Sequence, residues 1–343
     1  MYFYFRTILH PNMYRIIFSI FCLLSITNSV AQFPPQVGNV GTTAIHRDSS
    51  IISNWALSCN LKRGWQNIAD TTLGKSIVGD ETYVPGPAGN GIVSLGDGGE
   101  ATVTFLYPIK NGNGFDFVVF ENGFIDQSLD TGTAFLELAF VEVSSDGIQF
   151  FRFPATSLVD TSSQLGSFAG MRADKISNLA GKFIMPYGTP FDLEELKDIA
   201  TLNVNAITHI RIVDVVGSLQ NNYASRDQFG NKINDPWPTP FASSGFDLDA
   251  IGVIHQNTLL STKDLYNSSH QIILDANPAN RFEEIKINAT ISGYLSVINQ
   301  LGQVVYHSTT PEHSFSFYVE HTGAYTAIID TEVGMIYKRF VVK

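Results

Sequence analysis

The sequence predicts an all-β protein, and three observations carry that prediction. β-Branched and aromatic residues alternate with polar ones over short runs, as at 101–106 and 209–213. Gly, Asn and Asp cluster between these runs, where tight turns need them. Only one stretch, residues 192–199, carries a helix signal.

Taken in order, residues 1–31 read as a secretory signal peptide. An apolar run at 16–26 follows Arg6 and Arg15 and precedes Ser29, Val30 and Ala31, after which cleavage is expected. The run falls short of the roughly 20 residues that a membrane span needs, and no later segment is apolar enough. Met13 is an alternative start. Cys22 lies inside the apolar run without the small residue that a lipoprotein signal places just ahead of its cysteine. Processing therefore leaves Cys59 alone, with no intrachain disulfide to form. An exported chain of this kind takes its rigidity from a large core, from bound metal, or from both. Acidic residues outnumber basic ones, 32 to 21, for a net charge of −11, which argues against nucleic acid or an anionic membrane surface as partner.

Residues 33–256 read as one β-sandwich with long polar loops. Its clearest strands are 101–106, 115–120, 135–144, 148–153, 209–213 and 248–254. Asp146 and Gly147 mark a tight turn joining the third and fourth of these as a hairpin. In the third, Leu136, Leu138 and Phe140 share one face and Glu137, Val141 and Val143 the other, so the strand is expected inside a sheet covered on both sides. At 192–199, Asp192 is placed to cap a short helix, with Glu195 completing a capping box. Residues 257–271, rich in Thr, Ser and Asn, are the expected linker, and 272–343 a second, smaller β-sandwich.

Asp247 and Asp249 are the most suggestive pair. Two residues apart on a strand, they should share a face with Ile251 and Val253, and two adjacent buried charges there need a cation or an arginine. Calcium suits several oxygen ligands on loops and strand ends, with Asp97 on a Gly-rich turn as third ligand; pairing with Arg211, or exposure, are the alternatives. Asp227, Asn231 and Asp235 lie in a loop that lacks the alternating acids of an EF-hand and reads better as a polar turn. Beyond it, Pro236, Pro238 and Pro240 stiffen a segment carrying Trp237, with Tyr223 upstream; these rings stack on a sugar, or Trp237 plugs the end of the sandwich. Glu121 and Asn122 end a strand, where Glu121 faces a ligand, binds metal, or accepts turn amides.

No nucleophile elbow, zincin motif or Cys/His metal spacing is present. Glu137 and Glu142 fall on opposite faces and make a poor acid and base pair, although carboxylates from distant strands still allow a glycoside hydrolase.

Three segments also carry family resemblances. Asn277 to Ala279 with 295–306, 323–330 and 338–343 resemble the type A C-terminal sorting domain of the type IX secretion system in Bacteroidetes. That resemblance implies recognition by the secretion machinery at the outer membrane, cleavage of the tail, and a protein left on the surface or released. Residues 94–100, 143–150 and 245–254 are similar to galactose-binding-like jelly rolls, which implies a jelly-roll sandwich and a structural calcium. Residues 116–124 and 137–147 are loosely similar to surface proteins of TonB-dependent cobalamin import, which implies an accessory role in nutrient uptake. The expectation is a non-catalytic binding module for a glycan or another extracellular ligand, held by Glu121, Asn122, Tyr223, Asp227, Asn231, Asp235 and Trp237.

Overall fold

Alternating β-branched runs and Gly-rich turns give the strands predicted, arranged in antiparallel sheets. The computed structural model describes residues 33–125, 128, 130–257, 272–300, 302–331 and 334–343. The signal peptide with Cys22, and all but the first residue of the linker, lie outside the described residues.

One sheet runs in the order Ile45–His46, Tyr187–Phe191, Phe117–Glu121, Asp247–Val253, Asn54–Trp55, with Val93–Ser94 also paired to Asp247–Val253. The other runs Leu179–Ala180, Ala139–Ser144, Ile207–Asp214, Glu100–Ile109, Ser58–Lys62, with Phe151–Arg152 paired to Ala139–Ser144. From Glu100–Ile109 onward the long strands alternate between the two sheets, the connectivity of a jelly roll. Val103, Phe117, Val141, Ile210, Ile212, Ile251 and Val253 fill the space between them. Phe117 stacks on Phe191 at 5.3 Å, and Phe153 packs edge-on against both.

The third predicted strand is covered on both sides, as its two apolar faces require. Val141 and Val143 enter the core between the sheets, while Leu136, Leu138 and Phe140 meet Met171, Ile176 and Ile233 in a second core. The strand is shorter than 135–144, because the backbone around Leu138 bonds elsewhere. Leu138 N–H donates to the Asp235 carboxylate at 3.3 Å, and the Leu138 carbonyl accepts from Val215 N–H at 3.0 Å. Gly181 lies against this segment at φ 80, and a Cβ there would sit 1.8 Å from the Glu137 carbonyl. Both the left-handed backbone and the backbone clash exclude a side chain. Gly181→Ala is expected to cost several kcal/mol, on the order of 4, seen as loss of soluble folded protein or a large fall in the urea midpoint.

The hairpin at Asp146 and Gly147 forms, with Glu142 opposite Arg152 and Val143 opposite Phe151. Its loop is wider than predicted, since Asp146 accepts from both Ile148 and Gln149 N–H at 2.8 Å, and only Phe151–Arg152 of the fourth run stays in the ladder. The predicted helix at 192–199 is a single 3-10 turn, Leu193–Leu196. Asp192 caps it through Glu194 N–H at 2.9 Å, but Glu195 accepts from the Asn178 side chain instead of closing a capping box.

The C-terminal strands form their own sheet. Ile285–Asn299 is fifteen residues long and serves two groups of neighbours: Ile272–Leu274 and Glu312–Phe317 largely along its first half, Gly323–Thr331 and Val304–His307 along its second. Gly334–Val342 pairs in turn with Gly323–Thr331. Ile287, Leu295, Val297, Phe317, Ile329, Phe340 and Val342 make its core.

Candidate functional site

The strand Asp247–Val253 positions the acids that the sequence singles out, but it does not pair them. Its ladder with Phe117–Glu121 shifts register between Leu248 and Ala250. Leu248, Ile251 and Val253 consequently share the inter-sheet core, and Ala250 packs on the opposite side. This bulge corrects the expectation that Asp247 and Asp249 stand in line with Ile251 and Val253, because the period-2 alternation is broken between them. Asp249 accepts from Gly89 N–H with both oxygens, at 2.8 and 3.0 Å, near the positive charge of Arg47. Asp247 accepts from the Ser94 hydroxyl and, at 2.9 Å, from the Asn122 amide. Arg211 is engaged elsewhere, with Glu142.

Asp97 is apart from both. Its Oδ2 accepts from Ile68 N–H at 2.8 Å and from the Trp237 indole N–H at 3.0 Å. Trp237 is buried and tilted against Tyr223 at 6.4 Å, so it plugs the sandwich end and offers no stacking face. Asp227 closes its own turn, accepting from the Phe229 and Asn231 backbone and the Asn231 amide, with Ser157 N–H reaching it from outside. Asp227 and Asn231 are thus joined within one turn, and Tyr223 and Trp237 pack against each other.

What the fold does bring together at this end of the sandwich is a set of buried carboxyls: Asp97, Glu121, Glu137, Asp214, Asp235 and Asp247, each at most 6% exposed. Asp214 accepts from Phe246 N–H at 2.8 Å and Gly98 N–H at 3.0 Å, yet burial and then the charge of Asp97 push it up to about 8. Burial pushes Asp247 up to about 6 against its two side-chain hydrogen bonds. Glu121, Glu137 and Asp235 are pushed well above the carboxylate range, by burial first and by neighbouring acids besides. One oxygen of Glu121 and one of Asp235 are buried with no hydrogen-bond partner. Among the described residues no ion pair joins any of the six to Lys or Arg, and no three acidic, His or Cys side chains stand in a metal-ligating arrangement.

Two of these acids line an open cleft of about 210 Å³. Glu137 and Asp247 share it with Asn122 and with Phe124, Phe135, Phe168 and Phe241. The rings form a row, with centroids 5.1 Å apart from Phe124 to Phe135, 6.1 Å on to Phe168 and 5.5 Å on to Phe241. Phe124, Phe168 and Phe241 are exposed, Phe168 most of all at 66%. Of the residues expected to bind ligand, only Asn122 lines this cleft; Glu121 lies within the charge field of Asp247, and Asp235 in that of Glu121. The sequence does not single out the four phenylalanines or Asp214 as ligand residues, and it offers Glu137 only as half of a poor acid and base pair with Glu142. The legible signal was aromatic residues in polar loops, Phe168 between Ser167 and Ala169 and Phe241 after Pro240, where no strand period explains them.

Neither a protein-family model nor a curated protein matches the sequence. Among solved structures, similarity is found to PorZ, a surface component of the type-IX secretion system of Porphyromonas gingivalis, at 12% identity and TM-score 0.20, over 28% of this chain and 14% of that one. A biofilm-associated protein BSP domain matches at 10% identity and TM-score 0.19, over 86% and 53%. A β-glucuronidase from Ruminococcus gnavus matches at 9% identity and TM-score 0.19, over 86% and 46%. The chain thus spans about half the length of the latter two and far less of PorZ. These are distant likenesses, and they decide neither family nor activity. No helix among the described residues is long and apolar enough to cross a membrane.

Proposed function

We propose that the chain is an exported, non-catalytic binding protein, carried out of the cell by type IX secretion through residues 272–343, with its ligand seated in the phenylalanine-rimmed cleft. The sorting-domain resemblance of the tail supports the route. The observation that carries the ligand site is the row of exposed rings above buried Glu137 and Asp247, since apolar rings held in water around a concave, acid-floored space are what a binding seat presents. The seat is moved from the loop 227–237 to the ends of strands and loops around Phe124, Phe168 and Phe241. Glycans remain the first ligands to screen.

Calcium is proposed for the buried acids behind the cleft. Glu121 and Asp235, each with an oxygen lacking a partner, are better placed for it than Asp249, which the Gly89 amide already satisfies. The side chains would have to turn toward one another to share an ion.

For the ligand, glycan arrays and small-molecule panels probed with the full chain are expected to give hits that Phe168→Ala weakens by about tenfold or more, with an unchanged melting midpoint because the ring is exposed. Hits unaffected by both Phe168→Ala and Phe241→Ala would remove the cleft from consideration.

A further inference from the structure

We infer that the group this cleft recognises is an organic cation, an alkylammonium head; the inference rests on the cleft being the ligand seat. Three observations lead there. Four phenylalanine rings line the cleft together with Asn122, Ser167, Thr239 and Ser243, and the rings present negative faces that attract a cation, most strongly once it is desolvated. The floor holds Glu137 and Asp247, 6% and 5% exposed. Among the described residues no hydrogen bond to the Glu137 carboxyl is found, and burial first, then Asp247 and Glu121, raise it well above its ordinary value. Finally, no Lys, Arg or His lines the cleft among the described residues, so nothing within it supplies the counter-charge.

Burial and the neighbouring acids favour the protonated form of Glu137 in the empty cleft, and an incoming ammonium would supply the counter-charge that lets it ionise. A primary ammonium brings three donors for Glu137, Asp247 and the Asn122 carbonyl oxygen; a quaternary one brings a positively polarised surface matched to the rings. A bare metal ion would use the acids and leave the rings idle, and a neutral sugar would meet the rings and the polar lining without supplying a counter-charge for the acids. Only an organic cation engages both.

The test uses the full chain and calorimetry with two cations and their uncharged counterparts: choline against 3,3-dimethyl-1-butanol, and butylamine against 1-butanol. At least one cation is expected to bind about tenfold or more tightly than its counterpart, and to lose about tenfold in Glu137→Gln and in Phe168→Ala. Glu137→Gln replaces a buried acid by a neutral amide and is expected to melt no lower than the parent, which separates lost binding from lost folding. Absence of binding by both cations, affinity equal to that of the neutral counterparts, or indifference to Glu137→Gln would overturn the inference. If ligands from the glycan screen still depend on Phe168 in that case, the cleft stands and only its charge preference falls. If they do not, the cleft itself falls.

Discussion

Trp237→Ala is expected to destabilise the sandwich by roughly 3–5 kcal/mol, and to do so without acting on the ligand cleft directly. The indole is 6% exposed, and its loss empties a space at the end of the sandwich. The same substitution deletes the donor that reaches Asp97 at 3.0 Å, leaving a carboxyl only 3% exposed with the Ile68 amide as its remaining partner. The two losses are separable. Trp237→Phe keeps most of the volume and deletes only the donor, and its expected cost is about 1–3 kcal/mol. Urea denaturation followed by circular dichroism gives both values. If Trp237→Ala unfolds at the parent midpoint, the ring is not a plug and the stacking role returns.

Stability is expected to fall as pH rises from about 5 to 8 in the absence of bound cation. The sign follows from linkage: a carboxyl whose folded value is raised binds its proton more tightly in the native state, so its contribution is fully present below the unfolded value and is lost as pH rises through the folded one. For Asp247 that window runs from the ordinary value of 3.8 to about 6, and for Asp214 from 3.8 to about 8. Glu121, Glu137 and Asp235 act in the same direction. His209 and His307 oppose it on the acid side. Burial lowers both below 6.5, so their contribution is lost as pH falls through the lowered values. A maximum in the weakly acidic range results, with a melting midpoint higher at pH 5 than at pH 8 by on the order of 5 °C. The calcium proposal makes a second, independent demand: millimolar calcium should restore the loss at pH 8, because an ion bound only by the folded state stabilises it by mass action. A midpoint at pH 8 that calcium leaves unchanged would count against an ion at Glu121 and Asp235.

The sheets were legible in the sequence because each strand's alternation reflects which face is buried. The two apolar faces of 135–144 correctly announced a sheet covered on both sides, and Asp146 with Gly147 announced their hairpin. The site was less legible, for two physical reasons. Alternation assumes an unbroken ladder, and the bulge between Leu248 and Ala250 takes Asp247 and Asp249 out of line with Ile251 and Val253 without leaving a Gly or Pro at that point as a marker. The acids that do meet come from distant segments: Glu137, Asp214 and Asp235 are joined by folding and share no spacing rule. Trp237 misleads for a related reason, since a proline-flanked aromatic can stand proud of a loop or be driven inward, and here Asp97 provides the acceptor that draws it in. Phe168 and Phe241 show the reverse, rings left outside in loops, one Gly/Ser-rich and one proline-stiffened, where no strand period marks their direction.

The last strand of the tail bears on how this protein can be shortened. Gly334–Val342 pairs along its whole length with Gly323–Thr331 and contributes Phe340 and Val342 to the core. Trimming it away would uncover nine residues of unpaired backbone beside Tyr325, Ala327 and Ile329, an open edge of the kind that templates aggregation. Removal of the tail in one cut upstream of Ile272 leaves no such edge behind from this sheet. Gradual erosion from the C-terminus would expose that edge, whereas a single cut upstream of Ile272 would not.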